Sequence, residues 1–288
     1  MNNVWVIARN TFGDALRKRV LLIFLLLAFV SLVLALMLNY FTAREQATVF
    51  KSTQLVIILI FGALISITTS VFLIPNEIER RTIYSVLAKP IQRWEFFFGK
   101  FLGGALTVGF MVGLMSIVLM IVLFVLAARP PQGSAEQMLT QASQGVNVKE
   151  WMLRGFGEMI LVARATIVIY FQLVIVTAIA TTLSLFLTPT VNFSITAFIW
   201  IVGSLQWLVS ALANRNEQSM VVTSLLSKGI YYALPHFHDF NIMGSIVHPE
   251  VPIAVNHWVY AAQVSVYGML YGALWLLVGI HVFDRKEV

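Results

Sequence analysis

Long apolar runs alternate with short charged stretches along this chain. The runs cover residues 20–41, 54–75, 101–128, part of 159–187, 191–213 and 258–283. Each is about the 20 residues that a helix needs to cross a bilayer. None shows the strict apolar–polar alternation of a barrel strand, and each is about twice a strand's ten residues. A helix also satisfies every backbone group internally where no water is present. The pattern therefore predicts an all-α, polytopic integral membrane protein with six transmembrane helices. Residues 2–18 differ: Val4, Ile7, Ala8, Phe12, Ala15 and Leu16 recur at helical spacing, with Arg9, Asp14 and Arg17 elsewhere. That spacing predicts an amphipathic interfacial helix on the inner leaflet before the first span.

Composition agrees. Of 288 residues, 59% are hydrophobic and 11% charged, and the mean hydropathy is +0.86. A water-soluble domain carries about a quarter charged residues. The 20–41 run is too long for a signal peptide's core and has no small-residue cleavage site, so it reads as a retained span. There is no cysteine, which rules out disulfides, thiolate metal sites and cysteine nucleophiles.

The net charge is +6. The basic residues flank apolar runs, which suits an anionic leaflet and not a nucleic-acid groove. With six spans, both termini share a side. Placing them in the cytoplasm puts Arg9, Arg17, Lys18, Arg19, Arg80, Arg81, Lys89, Arg93, Lys100, Arg285 and Lys286 there, on the shorter total loop length. The other Lys and Arg residues are spread thinly over the rest, and the bias sets the orientation.

One membrane domain, 1–288, follows from this layout: a lead-in helix (1–19), three spans (20–128) enclosing an inner loop (76–100), an outer loop (129–157) and three more spans (158–288). An outer or re-entrant segment (214–257) interrupts the last part. Thr188, Pro189 and Thr190 form a tight turn between the fourth and fifth spans, since Pro cannot continue a helix.

The 76–100 stretch is longer than a return loop needs. Ile83, Val86 and Leu87 have helical spacing, Lys89-Pro90 ends that helix, and Trp94 sits at interface depth. Carboxylates at Glu77 and Glu79 and guanidinium groups at Arg80, Arg81 and Arg93 flank the helix. Such an element sets register on a partner; an ordinary charged inner loop has the same composition.

The order Glu77-Ile78-Glu79-Arg80, Thr82-Ile83, Val86-Leu87-Ala88-Lys89-Pro90-Ile91, Arg93-Trp94-Glu95 and Gly99-Lys100-Phe101-Leu102-Gly103 resembles the type-two ABC exporter permease family. The 7–21 stretch is similar to that family's lead-in helix. Phe283 to Lys286 is similar to its basic tail, and Tyr231 to Asn241 to the late outer segment of some members. Arg81 stands where the family often has Gly, and Tyr84 where it often has an acidic residue.

The resemblance implies a permease that pairs as a homo- or heterodimer in a bacterial inner membrane. Each half docks a separate cytoplasmic ATPase through Glu77, Glu79, Arg80, Arg81, Thr82, Ile83, Leu87, Lys89, Pro90 and Arg93. ATP and Mg are expected on that partner, and no cofactor or catalytic residue in this chain. The residues agree in one respect: Gly99-Lys100 lacks the upstream Gly and following Ser or Thr of a phosphate-binding loop. The competing reading is a membrane anchor or scaffold that docks a partner and moves nothing.

Other features have two readings each. Gly99 and Gly103, Gly109 and Gly113, and Gly268 and Gly272 recur four apart, which lets helix backbones approach, within the chain or across a dimer seam. Arg164 lies in the fourth run, either on a substrate path or reaching toward headgroups. His236, His238, His248 and Asp239 lack metal-ligand spacing, and the aromatics Tyr231, Tyr232, Phe237 and Phe240 are expected at the membrane interface.

Overall fold

The computed structural model describes residues 2–37, 43–75, 77, 92–127, 148–205, 234–240 and 257–285. The chain forms α1 (Asn2–Leu16), α2 (Arg19–Leu36), α3 (Ala43–Val71), α4 (Arg93–Ala127), α5 (Val148–Leu183), α6 (Pro189–Ser204) and α7 (His257–Arg285), with a 3-10 turn at Phe237–Phe240. No strand occurs among the described residues. Helices α2, α3, α4, α5 and α7 are long and apolar enough to cross a membrane. Helix α6, where the fifth span was expected, is described over 16 residues. That is about 24 Å of rise, less than the roughly 30 Å hydrocarbon core.

Three stretches expected as loop are helix. Residues 43–53 belong to α3, 93–100 to α4 and 148–157 to α5. Arg44, Glu45 and Gln46, and Lys149 and Glu150, are good helix formers. Polarity at these positions does not mark the end of a helix. Helix α4 with 35 residues and α5 with 36 each rise about 53 Å and so project well beyond the hydrocarbon. Pro189 does start a helix, at its first turn, behind an extended Thr188, where its missing N–H costs nothing.

Side-chain pairings set the direction of each helix. Lys51 bonds Glu158 and Ser66 bonds the Leu173 carbonyl, both 107 residues apart, so α3 and α5 run parallel. Arg164 lies over Trp258 and Thr182 bonds the Trp275 carbonyl, so α7 is parallel to α5. Gly109 meets Tyr170 while Ser116 bonds Thr166; moving up α4 moves down α5, and the two are antiparallel. Lys18 at the start of α2 lies over Phe72 just past α3, so α2 opposes α3. The first turn of α1, the junctions flanking residues 78–91 and the end of α7 therefore share one end of the bundle.

Helix α3 is the best covered span, with 61% of its window buried, and α2 the least, with 17%. Leu22, Leu26 and Leu34 of α2 and Leu270, Leu274 and Leu277 of α7 point outward, as lipid-facing positions do. The main core lies between α3, α4 and α5. A second core, at the end shared by the termini, gathers Leu73, Ile74, Phe96, Phe97, Phe101 and Phe283.

Phe237 and Phe240, expected at the membrane interface, turn into the bundle. Both rings are buried. Gly203 and Gly268 lack the side chains that would fill those sockets: a Cβ on Gly203 would stand 2.6 Å from Phe237, and one on Gly268 3.1 Å from Phe240. Tyr231, Tyr232 and His248 lie outside the described residues.

Candidate functional site: the base of the 76–100 segment

Glu79, Arg80, Arg81, Thr82, Ile83, Leu87, Lys89 and Pro90 lie outside the described residues. Glu77, Arg93, Gly99 and Lys100 lie inside them, and these form the base from which the segment leaves and returns.

On the leaving side, Lys100 donates to Glu77 in an ion pair, with the ammonium side chain 10% and the carboxylate 24% exposed. The ammonium also lies 5.6 Å from the Phe96 ring centroid. A charge so covered needs its counterion, because removing one member of a buried pair costs about 3–5 kcal/mol. The pair joins the chain just past α3 to the second turn of α4.

On the returning side, Arg93 donates through Nη1 to the carbonyl oxygens of Phe283 at 3.4 Å and Asp284 at 3.3 Å. The last carbonyls of a helix have no partner within it, and a cation there also complements the helix dipole. Glu95 accepts from the Gln92 backbone N–H at 3.3 Å and from Asn3 Nδ2 at 3.2 Å. A carboxylate in the first turn satisfies a free N–H of that turn. Below these polar ties, Phe96 and Phe283 stack at 6.0 Å, and Phe97 and Phe283 lie 6.2 Å apart. Ends of α1, α4 and α7 and the exit of α3 are thus locked together.

Gly99 and Gly103 seat α1 on α4. A Cβ on Gly99 would stand 2.9 Å from Ile7, and one on Gly103 2.5 Å from Thr11 and 2.8 Å from the Ala8 carbonyl. Ala8, Thr11 and Ala15 are the buried face of α1, so small residues meet small residues. Gly109 faces the Tyr170 ring at 2.9 Å, Gly268 faces Phe240, and Gly272 lies 4.0 Å from Ala178. These contacts are within the chain. Gly113 has nothing within 4 Å.

Arg164 is 7% exposed and stacks on Trp258 at 5.8 Å, worth up to about 2 kcal/mol when desolvated. Its Nε has no hydrogen-bond partner among the described residues. His236 turns inward, its backbone N–H donating to the Tyr267 hydroxyl at 3.2 Å, while His238 is exposed. The two histidines do not converge, and no group of three His, Asp or Glu residues converges among the described residues.

Two features had no signal in the linear pattern. Lys51, read as a loop residue, is buried and paired with Glu158 at 2.9 Å. Gln54, one turn further along α3, is buried at 2% exposure. The first depends on a residue 107 positions away, and the second on side chains of two other helices.

A family model described as "ABC-2 family transporter protein" matches residues 5–227. No curated protein matches the chain.

Proposed function

The chain belongs to the ABC-2 family of transporter proteins, and on that premise we propose that it is the membrane-spanning permease half of an exporter driven by a separate cytoplasmic ATPase. The permease is one domain, its termini and the 76–100 segment face the cytoplasm, and two permease halves pair around the transport route. The ATPase grips the 76–100 segment and carries the ATP and Mg.

The observation that supports this reading is the double anchoring of that segment. Lys100–Glu77 ties its first residues to α4, and Arg93 ties its last residues to the end of α7. A loop attached by flexible ends would absorb a push by bending. A segment whose two ends are locked to α3, α4 and α7 passes displacement to those spans as a body, because packed interfaces shift between discrete arrangements rather than deform smoothly. Relative motion of the helices is the step that alternates access.

Reconstitution tests the reading. The chain and a candidate partner ATPase, identified by co-purification from native membranes, are placed together in proteoliposomes, and ATP turnover is compared with that of the ATPase alone. Stimulation of turnover is expected. Stable binding of the ATPase with unchanged turnover would instead identify a scaffold.

A further inference from the structure

The cleft between α2, α3 and α4 lies away from the 76–100 base. It encloses about 170 Å³ and is lined by Leu25, Phe29, Leu32, Gln54, Ile57 and Leu114 among others. A cavity of roughly 150 Å³ lined by such side chains stays dry and holds a benzene-sized molecule. Gln54 breaks the apolar lining. It is 2% exposed, and its side-chain nitrogen is buried with no hydrogen-bond partner among the described residues. A buried amide nitrogen without a partner in an apolar wall is costly. Bilayer hydrocarbon offers it nothing.

Position narrows the occupant further. Phe29 on α2 is 52% exposed and Leu114 on α4 is 36% exposed. Both line the cleft, so its rim includes outward-facing positions of α2 and α4. Gln54 lies three residues past Lys51, about 4.5 Å along the helix, so the amide sits just inside the level of the Lys51–Glu158 ion pair. An apolar body with one oxygen near that level matches both the wall and the amide.

We propose that this cleft binds an amphiphile from the bilayer, an apolar chain or ring carrying one hydroxyl or carbonyl oxygen that pairs with the Gln54 amide. The apolar body fills the space between Leu25, Phe29, Ile57 and Leu114, and the oxygen completes the amide's hydrogen bonding. If the permease reading holds, this is the chemical class of molecule that the chain takes from the membrane. Binding itself needs neither ATP nor an ATPase, so it can be tested apart from transport.

The test uses the full chain in lipid nanodiscs and two photoreactive probes: a diazirine-bearing eight-carbon alcohol, and the matching alkane without the hydroxyl. Labelled residues are identified by mass spectrometry across a range of probe concentrations. The alcohol is expected to label Leu25, Phe29, Ile57 and Leu114 saturably, at about tenfold lower concentration than the alkane, the worth of one good hydrogen bond. Gln54→Leu removes the unpaired amide without opening a cavity, so the fold is kept, and it should erase the difference between probes. Ile57→Phe, at a half-buried position, should lower labelling by both. Unsaturable labelling spread over Leu22, Leu26 and Ile117 would mean that ordinary lipid fills the cleft and would overturn the proposal. So would an unchanged alcohol preference in Gln54→Leu. Protection of the cleft from both probes, with Phe29→Cys copies crosslinking to each other, would overturn it in favour of a second copy.

Discussion

Lys51 of α3 and Glu158 of α5 pair at 2.9 Å across 107 residues of sequence, at the end of the bundle opposite the chain termini. The same separation recurs at Ser66 and the Leu173 carbonyl, 15 residues further along each helix. Two helices that keep one offset over about 22 Å run parallel with little crossing. The ion pair pins that register at one end, and the Ser66–Thr177 hydroxyl contact at 2.9 Å pins it nearer the other.

Lys51→Met should therefore destabilise the protein by about 2–4 kcal/mol, because Glu158 is left partly buried without a counterion. Adding Glu158→Leu should recover most of that loss. Thermal unfolding of the single and double variants in detergent closes the cycle. Equal, additive losses would show that the two side chains do not interact in solution.

Glycine spacing separates into two behaviours. Gly103→Val should displace α1, since a Cβ there already collides with Thr11 and the Ala8 carbonyl; a loss of more than about 2 kcal/mol is expected. Gly113→Ala, with open space around it, should be neutral or gain up to about 1 kcal/mol from helix propensity. Protease cleavage within α1, followed by gel shift, reads the first effect, and melting temperature reads the second.

Arg93→Ala should free the end of α7. Loss of a charged donor to the Phe283 and Asp284 carbonyls is worth about 1–2 kcal/mol locally. Hydrogen exchange of the last turn of α7 should speed up about tenfold, while the middle of α7 keeps its protection. Uniform acceleration along the helix would instead indicate global loosening.

Reversing charge at both Glu79 and Arg80 should abolish ATPase recruitment while membrane insertion is unchanged. Affinity capture from membranes, with the amount of inserted permease measured alongside, reads both. Normal recovery of the ATPase with the double variant would remove that segment from the interface.

Much of the architecture was readable in one dimension. Runs such as 20–41 and 258–283 predicted α2 and α7 because transfer into lipid sums over residues one at a time. The lead-in helix was readable because Ala8 and Ala15 recur on one face. The base of the 76–100 segment was half legible. Its residues were named, but not that Lys100 would reach Glu77 or that Arg93 would cap α7. The errors in helix bounds had one source. Polar residues at 43–53 and 148–157 were read as loop, when they are helix.

What the amino-acid order determined alone is that this chain enters a bilayer as helices, with a charged segment between the second and third spans. Those outcomes need only local hydropathy and helical period. Tertiary structure alone decided that Lys51 finds Glu158, that Gly103 carries α1, that Phe240 fills the socket at Gly268 and that the Gln54 amide nitrogen finds no partner among the described residues. Each of these depends on helix register and rotation, set by packing between segments far apart in the chain, and no window along a single helix contains that information.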